Sequence, residues 1–229
     1  MATNPTARHP LVLCDGDLPS MVALSLTADA MSGLGSVSVL SGPITVVSPE
    51  IITAKIHALA ESQAARCHDF PAVAPVAVST GHRRTRYLFE AVQAALTNGC
   101  TTLVCPWQAE GLDPDTDRDA DAPPGVDALA RELDRALLVS RLVTLDASEH
   151  GVGVFEIQTP LMDLSDRQVA EMALDLDVPI WRAWWWDLTN GRKPKDAALA
   201  DRAAAYRRRW ESALIGLGWS AAAEASAAR

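Results

Sequence analysis

Short apolar or β-branched runs alternate with amphipathic helical patterns about five times along this chain, and no other feature limits its fold so tightly. Leu11–Cys14 is one such run. Asp15, Gly16 and Asp17 then form a turn cluster, and apolar residues at helical spacing run from Leu18 to Met31. After Gly33 and Gly35 come two β-rich runs, Val37–Leu40 and Ile44–Val47. Pro49 marks a helix start, with Ile51, Ile52, Ile56 and Leu59 on one face of a helix ending near Arg66. Val73–Val78 reads as a third strand, and Pro75 within it places it near an edge or a bend. His82–Thr97 is helical, with Leu88, Val92, Ala95 and Leu96 facing inward and Asn98-Gly99 closing it in the left-handed fashion. Thr101–Cys105 and Val154–Ile157 read as further strands, separated by the amphipathic helix Val126–Leu142. Leu164–Leu176 is helical behind Ser165 as N-cap, and Lys195–Leu217 is the last long helix. Strands that alternate with helices in this way predict an α/β fold, a mainly parallel five-stranded sheet with helices on both faces and a C-terminal helical extension. The expected organisation is a flexible N-terminus at 1–10, an α/β domain at 11–178, and a Trp-rich segment with the C-terminal helix, 179–229, packed on it.

Charge narrows the function. A formal net charge of −9 argues against a nucleic-acid groove or an anionic membrane surface as partner, since both require clustered positive charge. No apolar run approaches the ~20 residues that span a bilayer. Met1–Pro10 is polar, without the apolar core of a signal peptide, so a cytoplasmic protein is expected. Cys14, Cys67, Cys100 and Cys105 have neither zinc-knuckle nor redox-pair spacing and read as reduced structural thiols.

Several polar clusters have two readings. Pro106–Gly125 carries Asp113, Asp115, Asp117, Asp119 and Asp121 and is either a solvated loop or a lid. It is no calcium loop, because it lacks both the glycine at the sixth position and the bidentate glutamate. His9, His57, His68, His82 and His150 show no metal-ligand spacing. His82, Arg83, Arg84 and Arg86 open a helix and form either an anion site or a solvated first turn. Trp181, Trp184, Trp185 and Trp186 could stack on a planar ligand; packing in the core or at an interface is the simpler account.

Strand, tight turn, helix is also the arrangement that delivers phosphates to backbone N–H groups at a helix start. Asp15-Gly16-Asp17-Leu18-Pro19-Ser20-Met21-Val22-Ala23-Leu24 lies without a gap on a motif of the form S-G-G-L-D-S-T-V-A-L. Thr159-Pro160-Leu161-Met162-Asp163-Leu164-Ser165-Asp166 resembles T-P-L-x-x-L-S-K and leads into Val178-Pro179 and Trp184, where the motif set has G-V-P and T-W-S-C-Y. Gly99-Cys100 and Arg84-Thr85 match further short signatures. On these residues the chain resembles the 7-cyano-7-deazaguanine synthases of the queuosine pathway, in the PP-loop group of N-type ATP pyrophosphatases. The resemblance implies an adenine nucleotide alpha hydrolase-like sheet and an ATP-driven reaction. That reaction adenylates a deazaguanine carboxylate and converts it to an amide and then a nitrile. A structural zinc on four cysteines and, often, a homodimer are implied as well.

The departures are as informative. Asp15 replaces the first serine of the loop, Asp17 the second glycine and Pro19 the aspartate, leaving Gly16, Leu18 and Ser20. Two carboxylates repel a polyanion, and Pro19 removes an N–H from the first helical turn. Asp17 then reads as a helix N-cap with Pro19 in the first turn, or Asp15 and Asp17 as a magnesium site that recruits phosphate. The lysine after L-S is Asp166. The zinc cysteine of T-W-S-C-Y falls on Trp186, and no cysteine or histidine lies between Pro194 and Gly218, so no zinc is expected. The resulting expectation is an inactive relative without cofactor, acting as a scaffold, a partner subunit in a homodimer or with another protein, or a binder of a small planar ligand. The alternative is a working ATP-dependent ligase. Asp15, Gly16, Asp17 and Ser20 would then hold phosphate and magnesium, with Arg84 as an electrostatic clamp.

Overall fold

The structure, a computed structural model, describes residues 9–41, 56–61, 65–69, 80–108, 125–147, 153–190 and 197–220. Its strands are β1 (Pro10–Cys14), β2 (Ser38–Ser41), β3 (Arg66–Asp69), β4 (Thr102–Val104) and β5 (Glu156–Gln158). Its helices are α1 (Leu18–Ala30), α2 (residues 56–61), α3 (Thr80–Thr97), α4 (Val126–Ala147), α5 (Asp166–Asp175), α6 (Trp184–Asn190) and α7 (Ala197–Ile215). A single 3₁₀ turn, Ile180–Arg182, precedes α6.

The strands hydrogen-bond in the order β3-β2-β1-β4-β5, and every pair is parallel. The chain builds outward from β1 to β2 and β3, then crosses back over β1 to β4 and β5. The end of β1, between β2 and β4, is therefore the point where the winding reverses. In open parallel sheets that point leaves a crevice at the carboxyl ends of the strands. The turn Asp15–Asp17 stands there.

Side-chain alternation in β1 divides the core. Val12 and Cys14 join Val39 and Val104 on one face, against α1, α5, α6 and α7. Leu11 and Leu13 join Leu40 and Leu103 on the other, against Leu88 and Val92 of α3 and Val139 and Val143 of α4. With both faces covered, every residue of β1 is buried, which is why it reads as a continuous apolar run.

β3 departs from the expected pattern. The helix expected to end near Arg66 gives way there to a strand: Arg66–Asp69 pairs with β2, Val39 beside Cys67 and Leu40 beside His68. An edge strand is held by its backbone ladder on one side only. Arg-Cys-His-Asp carries no apolar run and gave no strand signal. Val73–Val78 and Ile44–Val47 lie outside the described residues. α4 also runs on to Ala147, where the hydroxyls of Ser140 and Thr144 donate to the Phe155 carbonyl and tie the helix to the start of β5.

Other local signals hold. Gly99 (φ 71°) ends α3, with the Cys100 N–H donating back to the Ala95 carbonyl. Ser165 caps α5 in a reciprocal box: its hydroxyl accepts from the Gln168 N–H while the Gln168 side chain accepts from the Ser165 N–H. Cys14, Cys100 and Cys105 are buried thiols outside any disulfide. Burial pushes the Cys100 thiol up to about 11 and Cys105 higher still, so neither is a nucleophile at neutral pH. Among the described residues no helix is long and apolar enough to cross a membrane.

Candidate functional site

Gly16 adopts φ 75°, a left-handed turn that an L side chain resists, and this swings the chain from β1 into α1. Two of the turn's donors are spent within it. The Asp17 N–H donates to the Asp15 carboxylate (3.0 Å), and the Ser20 hydroxyl donates to the Asp17 carbonyl (2.8 Å). The Gly16 carbonyl accepts from the Trp184 N–H at the start of α6 (3.1 Å).

Asp17 occupies the N-cap position with extended backbone, as expected, but its side chain makes no cap hydrogen bond. Its Oδ1 instead accepts from two indoles, Trp185 Nε1 at 2.8 Å and Trp210 Nε1 at 3.0 Å. These donors come from α6 and α7, 168 and 193 residues further along the chain. Trp185, Trp210 and Asp17 are all buried, so the indole N–H groups and the carboxylate satisfy one another where water does not reach.

A second network sits beside the first. Arg209 of α7 makes a bidentate pair with Asp166, Nε to Oδ2 at 2.7 Å and Nη2 to Oδ1 at 2.6 Å. The same Nη2 donates to Gln108 Oε1 (2.7 Å), while Gln108 Nε2 donates to the Leu164 carbonyl (2.9 Å). The guanidinium also lies 4.5 Å from the centroid of the Trp210 ring. Asp166 stands where the related motif has lysine; here the positive charge arrives from α7 instead.

Between the networks lies a cavity of about 20 Å³, with Asp15, Asp17, Ser20, Trp107, Tyr206 and Arg209 in its wall. That admits about one water molecule and is far below the ~300 Å³ or more of a small-molecule pocket. Burial, reinforced by the neighbouring Asp15 carboxylate, pushes the Asp17 pKa up to about 7, against the opposing Arg209 charge and the Leu18 N–H. Burial likewise raises Asp15. For Arg209, burial works against the charge, but the hydrogen bond and charge of Asp166 overcome it and hold the guanidinium protonated. Burial pushes the Tyr206 phenol up, and the Asp17 carboxylate adds to the shift. The wall thus sets two carboxyls whose pKa values burial raises, Asp15 and Asp17, beside the Arg209 cation and the Tyr206 phenol.

This electrostatics has a measurable consequence. A carboxyl whose folded pKa exceeds its unfolded value stabilises the fold fully below the unfolded value, here 3.8, and loses that contribution as pH rises through about 7. The unfolding free energy is expected to fall between about pH 4 and 7, with a slope from this group of at most about 1.4 kcal/mol per pH unit. Asp17→Asn keeps an oxygen acceptor for both indoles and is expected to flatten that slope. Urea denaturation across a pH series reads it; an identical slope in both proteins would assign the effect elsewhere.

Of the residues singled out from sequence, Asp15, Asp17 and Ser20 converge on this cavity, and Gly16 shapes the turn beneath it. The side chains of His82, Arg83 and Arg84 lie outside the described residues, as does 109–124 of the acidic loop. Arg86 faces solvent near Glu90 (3.8 Å), a pairing of a solvated helix surface. Trp184, Trp185 and Trp186 are core residues, at most 4% exposed. Trp184 meets Tyr206 edge-on at 5.1 Å, and Trp186 meets Trp219 at 5.8 Å. Among the described residues, no group of three or more His, Cys, Asp or Glu is placed to hold a metal.

Sequence reasoning missed Trp210, Tyr206, Gln108 and Arg209 as members of the site. One signal was available. Asp166 in place of a lysine requires a compensating cation if buried, and Arg207–Arg209 supplied candidates. Successive helical residues point about 100° apart, so not all three can face solvent.

No protein-family model matches the sequence, and no curated protein matches it. Among solved structures, the chain is similar to the U34-tRNA thiolase NcsA from Methanococcus maripaludis, determined with its 4Fe-4S cluster. Identity is 12%, the TM-score is 0.46, and the match covers 90% of this chain and 73% of that one.

Proposed function

We propose that this protein is a divergent PP-loop-type α/β protein, related to the 7-cyano-7-deazaguanine synthases, that no longer runs ATP chemistry and serves as a scaffold or partner subunit. One observation carries the reading: the Asp17 carboxylate lies in the turn at the winding reversal, bonded to Trp185 and Trp210. A carboxyl group built into the chain holds the position where a phosphate-binding turn needs free donors and room. The cavity beside it, about 20 Å³, supports the same conclusion. With Trp184 to Trp186 packed in the core, no planar face of that run is left for a stacked ligand.

Titration with ATP and magnesium tests this. Binding at a hundredfold excess over Kd would raise stability by about 2.7 kcal/mol. No thermal shift is expected at millimolar nucleotide, and calorimetry is expected to show no binding heat. A saturable shift would support the working ligase instead, with Asp15 and Asp17 turned toward a magnesium ion.

A further inference from the structure

The Trp107 indole N–H is buried and has no acceptor among the described residues. Trp107 is 4% exposed and lines the cavity together with Asp15, Asp17, Ser20, Tyr206 and Arg209. Its place is fixed on two sides. The ring belongs to the core face that includes Phe155 and Met162, and the next residue, Gln108, is held by the Leu164 carbonyl and by Arg209. A buried N–H without an acceptor forfeits the hydrogen bond it makes to water in the unfolded chain, so native proteins rarely leave one unsatisfied. Most other groups of the wall are already engaged. Ser20 donates to the Asp17 carbonyl and accepts from the Cys14 thiol, Asp17 Oδ1 holds two indoles, and Arg209 is committed to Asp166 and Gln108. Asp15 has capacity to spare. Its Oδ1 takes the Asp17 N–H (3.0 Å), while a carboxylate accepts at about four lone-pair sites.

We propose that this cavity is a binding site for one internal water molecule, which accepts from Trp107 Nε1 and donates to the Asp15 carboxyl. Size sets the first limit. The space, about 20 Å³, exceeds the ~10–15 Å³ that one water requires and leaves no room for a second. Chemistry then selects among occupants of that size. A metal ion would set its charge against an N–H donor, and a halide would set its charge against two carboxyls. Water alone accepts from one wall and donates to the other. Tyr206 and Asp17 offer an acceptor for its second O–H, which gives the about three hydrogen bonds typical of internal water. Cavities that stay dry are lined by apolar groups, and this one is not. The bridge joins the segment that leaves β4 to the turn that leaves β1, the two strand ends on one side of the winding reversal. It stands apart from the nucleotide reading, because its test contains no nucleotide.

A high-resolution crystal structure of the full chain is the first test. One water is expected within about 3.2 Å of both Trp107 Nε1 and an Asp15 oxygen. Absent density overturns the proposal, as does an ion in its place or an indole bonded directly to a protein oxygen. Water relaxation dispersion in solution is the second test and reads how many internal waters exchange slowly. Trp107→Phe keeps an aromatic ring but removes the donor, and is expected to show one such water fewer than the wild type. The reason is that a water stripped of this partner leaves the cavity more readily. Equal numbers in the two proteins overturn the bridge. Should Trp107→Phe fail to fold, the wild-type crystal decides the question without it.

Discussion

Arg209→Met is expected to destabilise the protein by about 3–5 kcal/mol, read as a drop in urea midpoint with unchanged m. The size follows from what is left behind rather than from the bond removed. Asp166 is 2% exposed and both its oxygens are committed to the guanidinium. Methionine fills a similar volume but leaves the buried carboxylate to the neutral Gln108 Nε2 donor (3.2 Å) with no cation beside it, and the Gln108 oxygen loses its own donor at the same stroke. Arg209→Lys is expected to recover only part of the loss, because one ammonium cannot reproduce the planar fork. If instead Asp166→Leu combined with Arg209→Met restores the wild-type midpoint, the pair itself contributes little net stability. The cost of the single change is then that of the orphaned charge.

Trp210→Ala is expected to cost about 3–5 kcal/mol, the range for truncating a fully buried tryptophan. Trp210 is 0% exposed, sits in the core face shared by α1, α5, α6 and α7, and donates to Asp17. Trp210→Phe separates the two roles. It keeps most of the ring but removes the indole N–H, and is expected to cost about 1–2 kcal/mol more at pH 8 than at pH 5. The pH contrast arises because the ionised Asp17, which needs its donors most, predominates above about 7. Equal losses at both pH values would mean that packing, not the carboxylate, accounts for the substitution.

The sequence by itself determined the frame. Alternating runs named the parallel α/β sheet, Ser165 marked the start of α5, Gly99 marked the end of α3, and Asp15-Gly16-Asp17 marked the turn between β1 and α1. Those are properties of residues within a few positions of one another, where spacing and backbone preference suffice. Tertiary structure alone decided what the acids do. Asp17 bonds to indoles 168 and 193 residues away, and Asp166 finds its cation 43 residues on, contacts that no local pattern encodes. It also decided β3, whose polar sequence is held by an edge ladder and carries no apolar signal. A buried charge takes its meaning from whichever donors the fold brings within 3 Å, and only the folded chain specifies those.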